Sequence, residues 1–323
     1  MEKIAMYKCA SCWGCEDASY SFIKNNKTIF EKVEILFWPL LKDFRKEELE
    51  KIKDGEITFT FISGAIILPE QEENVKILRK KSKFIIAFGT CAHLGGVLGL
   101  LNICADTKEK ERFIPSQTRF CKNASSLDEV IKVDYYIPGC APTKDVLEKV
   151  FSSLFSEKLP PGGKIFADNK ALCYECPLNE TKPMEGVKVR SLKQYYDPRE
   201  IDPGKCFLLQ GIICLGPVTR GGCGASCIKG EIKLTSFPKL LLSRVMSLNP
   251  KGNIPCSGCF GFMDKINDFG ASALSYLASI IDSNNEEEIK QILDKGIINP
   301  MGLLYMYSLS KSILFKEPYI DED

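Results

Sequence analysis

Excess charge is the first thing this chain lacks. Its 43 Lys and Arg nearly balance its 42 Asp and Glu, leaving a formal net charge of +1. Capture of nucleic acid or of an acidic membrane surface by long-range charge is therefore excluded. Long apolar runs are missing as well: the longest, around Ile57 to Pro69, is too short and too polar to span a bilayer. The first residues, Met-Glu-Lys-Ile-Ala-Met-Tyr-Lys, hold an acidic residue and neither an apolar signal core nor a twin arginine. The expectation is a cytoplasmic protein. Histidine is reduced to one residue, His93, so no general acid–base cluster can be built around it. No G-x-G-x-x-G pattern is present, which leaves Gly95-Gly96 a weak signal for phosphate. There is no internal repeat or low-complexity segment.

What the chain has in quantity is cysteine. Eight of its 15 cysteines stand between Cys173 and Cys259: Cys173, Cys176, Cys206, Cys214, Cys223, Cys227, Cys256 and Cys259. Eight thiolates make two complete four-cysteine sites, and soft thiolate ligands suit iron–sulfur clusters or zinc. The opening and closing C-x-x-C pairs serve either metal, so spacing alone leaves the choice open. Disulfides are rare in a reducing compartment, which turns the high count toward metal. At 323 residues, with 45% hydrophobic and 26% charged residues, the chain has the composition of a soluble globular protein with room for two domains.

The first half reads as an alternation of strands and helices. Apolar runs at Ile4–Tyr7, Val33–Trp38, Ile57–Ile62, Phe84–Phe88 and Val133–Ile137 are rich in β-branched and aromatic residues, as strands covered on both faces require. Pro69 to Lys81 opens with proline and glutamates and ends in Arg79-Lys80-Lys81, an order the helix dipole favours. Thr143 can cap a second helix with Val146, Leu147, Val150, Phe151, Leu154 and Phe155 on one face. The expected fold is a flavodoxin-like, doubly wound α/β domain with a parallel sheet. In such a sheet the ligand crevice lies beyond the carboxyl ends of the strands. Cys12 and Cys15, Cys91, and Cys140 each follow a different strand directly. Three loops thus deliver four thiolates to one crevice, a third four-cysteine site. Gly14, Gly89, Gly95, Gly96 and Gly139 in the same loops let backbone N–H groups come close.

Pro160-Pro161-Gly162-Gly163 reads as a linker, dividing the chain into domains at 1–162 and 163–323. The second is expected to be irregular and partly helical. Cys173 to Cys259 shows little periodicity, so metal rather than an apolar core is expected to hold it together. Ile228 to Asn253 carries an apolar stripe that reads as an inserted helix, and the tail as two helices near 268–282 and 301–315, joined by an acidic segment at Glu286–Glu288.

Taken together these segments resemble the small, electron-transfer subunit of [NiFe] hydrogenases, over almost the whole chain. The likeness rests on Cys12-Trp13-Gly14-Cys15-Glu16, Gly89-Thr90-Cys91 with Gly95-Gly96, and Pro138-Gly139-Cys140-Ala141-Pro142. It continues in Leu172-Cys173-Tyr174-Glu175-Cys176-Pro177, Asp202-Pro203-Gly204-Lys205-Cys206, Gln210 to Pro217 and Ile254-Pro255-Cys256-Ser257-Gly258-Cys259-Phe260-Gly261. These are nearest to the cytoplasmic F420-non-reducing (methyl-viologen-reducing) type. The resemblance implies three [4Fe-4S] clusters. A proximal one would be held by Cys12, Cys15, Cys91 and Cys140, a medial one by Cys223, Cys227, Cys256 and Cys259, and a distal one by Cys173, Cys176, Cys206 and Cys214. Many periplasmic relatives place a histidine where Cys173 stands; His93 is then expected beside the proximal ligands rather than among them. Ser63 stands where many relatives carry glutamate, and Ala141 replaces a usual proline. The stretch between Cys227 and Cys256 is longer than in near relatives, and Cys9, Cys104 and Cys121 are left over as plain thiols.

The function so implied is electron transfer from a large subunit that splits hydrogen at a nickel–iron centre. This chain has neither that subunit's paired cysteine motifs nor an acid–base cluster, so no catalytic residue is expected in it. The onward route implied is a [2Fe-2S] subunit and then heterodisulfide reductase, as in methanogenesis. NAD(P)- or F420-reducing hydrogenases and sulfhydrogenases, the latter through Leu215-Gly216-Pro217-Val218-Thr219-Arg220, are an alternative placement. The related subunit of respiratory complex I fits less well, since it carries adjacent cysteines in its first motif and lacks the eight-cysteine half. A zinc-stapled binding module is the reading without redox chemistry.

Overall fold

In the computed structural model the described residues are 2–31, 33–104, 120–156, 158–230 and 253–314, apart from the side chains of residues 28, 29 and 104. Six strands, β1 (Glu2–Lys8), β2 (Val33–Phe37), β3 (Ile57–Ser63), β4 (Ser82–Phe88), β5 (Tyr135–Ile137) and β6 (Lys164–Ile165), form one sheet in the order β2-β1-β3-β4-β5-β6. Every neighbouring pair is parallel. This is the expected flavodoxin-like α/β order with one more strand at the edge. All five anticipated strands form. Side-chain alternation divides their apolar residues between two faces. Ile4, Met6, Phe59, Phe61, Ile86 and Phe88 go to one face, and Ala5, Tyr7, Ile62, Ile85 and Ala87 to the other.

Helices cover both faces: α1 (Gly14–Asn25), α2 (Lys27–Phe30), α3 (Lys46–Lys51), α4 (Pro69–Lys81), α5 (Thr90–Leu94) and α6 (Lys144–Leu154). α4 starts at its proline, with Glu70 and Glu72 in the first turn and Arg79, Lys80 and Lys81 in the last. Thr143 caps α6, accepting from the Val146 N–H. On the first face Phe151 of α6 stacks on Phe22 of α1 with centroids 5.0 Å apart, and both lie over the β-sheet. Burying each such ring contributes roughly 1.5–3 kcal/mol. On the second face Leu49 of α3 and Val75 and Leu78 of α4 cover the sheet.

β6 was not anticipated. It follows the Pro160–Gly163 segment, whose ends are tied back to the sheet: Tyr135 donates to the Pro160 carbonyl (2.9 Å), and the Gly163 N–H to the Asp134 carbonyl (2.7 Å). The sheet thus runs on past the expected boundary at residue 162. The second half also gives Phe260, 1% exposed, to the core under α1 and α6.

The expectation that metal replaces an apolar core in the second half is corrected. Phe207, Leu208, Ile212, Ile213, Leu215 and Val218 pack with Phe269, Ala273 and Leu277 of helix Phe269–Ser279 and with Leu304 and Leu309 in one buried cluster. Its residues between Phe207 and Val218 come from largely irregular backbone, so they show no period. The acidic segment is corrected too. Glu286, Glu287 and Glu288 are the first turn of helix Glu286–Gly296, capped by Asn285, where carboxylates stabilise the helix end. The anticipated last helix is shorter than expected, Pro300–Leu304, followed by a 3₁₀ turn Leu309–Lys311. That turn grips the first half: Ser310 donates to the Ala124 carbonyl (2.8 Å), Lys311 pairs with Asp128 (2.6 Å), and the Gly96 N–H reaches the Tyr307 carbonyl (3.2 Å). The inserted helix expected over 228–253 lies, but for its ends, outside the described residues. Among the described residues no helix is long and apolar enough to cross a membrane.

Candidate metal centres

The loops after β1, β4 and β5 bring Cys12, Cys15, Cys91 and Cys140 to one crevice. Trp13, in left-handed backbone (φ 70°), turns the chain between Cys12 and Cys15 into α1. Cys91 lies in the first turn of α5, directly after β4. Thr90 ties the other two loops together: its N–H donates to the Gly139 carbonyl (3.0 Å), its Oγ1 accepts from the Gly139 N–H (3.2 Å) and donates to the Cys259 carbonyl (2.5 Å). Burial pushes the Cys15 thiol well up, with Glu16 and then Cys91, Cys140 and Cys12 adding to it. Two glycines make the crevice. Gly89 (φ +84°) and Gly96 (φ +59°) have backbones that L side chains rarely adopt, and a Cβ on them would collide with the sulfurs of Cys15 and Cys91 respectively. Glu16 is fully buried and accepts from Ser63 and, at 3.4 Å, from Ser11. Ser63 thus supplies a donor where a glutamate would set a second carboxylate against Glu16.

The second half holds two more quartets. Cys173, Cys176, Cys206 and Cys214 line a small void together with Lys182. Cys173 sits in the 3₁₀ turn Leu172–Tyr174, Cys176 caps the next one, Pro177–Thr181, and the Cys206 N–H donates to Thr181 Oγ1 (2.9 Å). Cys223, Cys227, Cys256 and Cys259 line a second void with Thr219, Ser257 and Phe260. Left-handed Ala225 (φ 53°) bends the chain between Cys223 and Cys227.

The quartets touch in order. Thr90, beside Cys91, donates to the Cys259 carbonyl (2.5 Å) and so joins the first quartet to the Cys223 quartet. The Cys256 N–H lies 3.4 Å from the Cys214 sulfur. The quartet at the sheet edge therefore meets the Cys223 quartet, and that one meets the Cys173 quartet.

Among the described residues no cysteine is in a disulfide. Burial pushes Cys91, Cys214 and Cys223 up to about 12 and Cys256 well above its ordinary value, so metal must displace their protons. Among the described residues no three His, Cys, Asp or Glu side chains converge on a point that a single ion could occupy. Four thiolates around a void are a donor set that suits an iron–sulfur cluster.

His93 is buried against Tyr136 with ring centroids 4.9 Å apart, and its Nδ1 has no hydrogen-bond partner. Burial lowers its pKa to about 4, and Asp128, Arg220 and Lys311 are the charges that bear on it. Of the leftover cysteines, Cys9 is buried and Cys121 half-buried; the Cys104 side chain lies outside the described residues. Sequence reasoning missed Lys182 and Glu175, which reach the quartets from loops without periodic signal.

Residues 12–154, the sheet with this crevice, match the family described as NADH ubiquinone oxidoreductase, 20 Kd subunit. That match ends before Cys173. Over 98% of its length the chain is 32% identical to the iron-sulfur subunit of the F420-non-reducing hydrogenase of Archaeoglobus profundus, covering 98% of that protein. It is 29% identical over 97% of its length to the corresponding F420-non-reducing hydrogenase subunit of Methanothermobacter marburgensis, covering 96% of it. The NAD-reducing hydrogenase HoxS subunit delta of Cupriavidus necator is 25% identical over 47% of this chain and 78% of its own length. The chain belongs to the family of F420-non-reducing hydrogenase iron-sulfur subunits, the small subunits of hydrogenases.

Proposed function

We propose that this chain conducts electrons from hydrogen oxidation in a large subunit through three [4Fe-4S] clusters, one per cysteine quartet, to a second partner. The observation that carries this reading is the line of three quartets, the first joined to the second through Thr90 and the Cys259 carbonyl and the second to the third through the Cys256 N–H and the Cys214 sulfur. Bound iron–sulfur clusters would supply centres that take up and release one electron each.

The chain's own residues do the rest. Cys12, Cys15, Cys91 and Cys140 would hold the proximal cluster, and Cys223, Cys227, Cys256 and Cys259 the medial one. Cys173, Cys176, Cys206 and Cys214 would hold the distal one. Phe260, Thr219 and Leu172 close off the middle of the line from water. At one end Cys12 and Cys140 are exposed beside Trp13, which is 48% exposed; this rim fits the large subunit. At the other end Tyr174, 79% exposed, stands next to Cys173 and marks the exit. The onward partner in this reading is a [2Fe-2S] subunit leading to heterodisulfide reductase. A likeness along the whole chain to the F420-non-reducing relatives favours it over the NAD-reducing type, whose relative matches less than half of this chain.

Anaerobic purification with the large subunit tests the reading. Four cysteines per cluster imply about twelve irons per chain and a brown protein bleached by hydrogen. About four irons, or stoichiometric zinc, would overturn it.

A further inference from the structure

Two charged side chains from one short stretch reach two different quartets, and their signs are opposite. The 3₁₀ turn Pro177–Thr181 folds the chain back on itself. Lys182 then places its Nζ 3.2 Å from the Cys173 sulfur, on the wall of the void lined by Cys173, Cys176, Cys206 and Cys214. Glu175 lies in sequence between Cys173 and Cys176 but turns the other way. Its Oε1 accepts from the N–H groups of Gly222 (2.9 Å) and Gly224 (3.1 Å), either side of Cys223, and from the Cys223 thiol at 3.7 Å. A third charge nearby, Arg220, is 3% exposed and is paired with Asp264. Among the described residues, Glu175 and Lys182 are the charged side chains hydrogen-bonded to a cysteine of these two quartets.

We propose that Glu175 and Lys182 set the direction of the last internal electron step, making an electron less stable at the Cys223 quartet and more stable at the Cys173 quartet. The inference rests on the reading that both quartets hold iron–sulfur clusters. Reduction adds one negative charge to a site, and potential follows nearby charge and hydrogen bonds to sulfur. Once metal takes the Cys223 proton, the thiol no longer donates to Glu175. A carboxylate then faces a thiolate, held there by two backbone N–H groups, and opposes arrival of an electron. At Cys173 the ammonium donates to the thiolate and favours arrival. The transfer itself moves one electron from the first site to the second, with no bond made and no proton moved. Lys182 also offsets part of the negative charge that a thiolate at position 173 brings and a neutral imidazole would not.

Each charge touches one quartet, Lys182 at Cys173 and Glu175 at Cys223, so it acts more strongly on that site than on its neighbour. Removing either should shift the distribution of an electron between the sites about tenfold, about 59 mV for a one-electron couple.

The test uses the anaerobic complex with its large subunit, carrying Glu175→Gln, Lys182→Met or Lys182→Arg. Glutamine keeps an oxygen for the Gly222 and Gly224 N–H groups and removes only the charge. Iron content is measured first, then the potentials by redox titration with dithionite and mediators, followed by electron paramagnetic resonance. The expected result is unchanged iron, one signal moved to higher potential by Glu175→Gln, and a different signal moved lower by Lys182→Met and returned by Lys182→Arg. Unchanged iron with no signal moved, or both substitutions moving the same signal in the same direction, overturns the proposal. An unmodified complex with about four irons instead overturns the cluster reading beneath it.

Discussion

Replacing Gly89 by alanine is a direct probe of the crevice at the sheet edge. Gly89 has φ +84° and ψ 166°, a conformation that is essentially glycine's own. Holding an alanine there costs roughly 1–3 kcal/mol. The added Cβ would also collide with the Cys15 sulfur, and it would lie 3.5 Å from the Gly139 carbonyl. Cys15 is 8% exposed at the start of α1. Forcing a methyl group into such packing costs roughly 1–3 kcal/mol more. The strain and the collision can be separated with Gly55→Ala. Gly55 also has positive φ (+71°), but nothing lies within 4 Å of its Cβ position, so strain alone should appear. Urea unfolding of the complex should show both variants destabilised, Gly89→Ala by about 2–6 kcal/mol. Iron analysis should then part them: Gly55→Ala keeps about twelve irons per chain and Gly89→Ala falls to about eight. A Gly89→Ala protein with full iron and undiminished hydrogen-dependent dye reduction would mean that Cys15 is not a ligand in that crevice.

Cys91→Ala should likewise remove about four irons, stop electron flow from the large subunit and weaken its docking; an active complex with unchanged iron would refute the convergence of the three loops. Cys173→His removes a negative ligand, so it should raise the potential of the outermost site and leave the fold intact, as a redox titration and circular dichroism would record. No change in any potential would count against Cys173 as a ligand. Deleting residues 233–248 and bridging the gap with a short flexible link should preserve hydrogen oxidation with an artificial dye and abolish transfer to the natural partner. Survival of both activities would make the insertion a covering loop only.

Much of the sheet was legible because each long strand is buried on both faces, and Ile57–Ser63 or Ser82–Phe88 then reads as an almost unbroken apolar run. β6 was not, because two residues carry no period and the strand exists only by pairing with Tyr135 and Tyr136. Helix Glu286–Gly296 hid behind its own cap: three glutamates in the first turn look like a solvated linker, and only Ile289, Ile292 and Leu293 lean on the core. The first quartet could be read from the strand-end rule, whereas spacing showed only that the other eight cysteines suffice for two sites, and their division came with the resemblance. Glu175 and Lys182 could not, because loop backbone rather than a repeating face carries them to the sulfurs. For the same reason the second core was invisible; Phe207 and Val218 are buried by irregular chain, and irregular chain leaves no pattern to recognise.

The hydrogen bond from Thr90 to the Cys259 carbonyl rivets the rim of the sheet to the second half, and the grip of Ser310 and Lys311 on Ala124 and Asp128 rivets it again from the tail. With the halves fastened at two places and the core of the first completed by Phe260 of the second, no hinge is left between them. In the proposed reading, the gaps an electron would cross inside the chain are set when it folds. Any throttle on that current would then act at the two exposed ends, through the arrival and departure of partners, and not by bending the conductor.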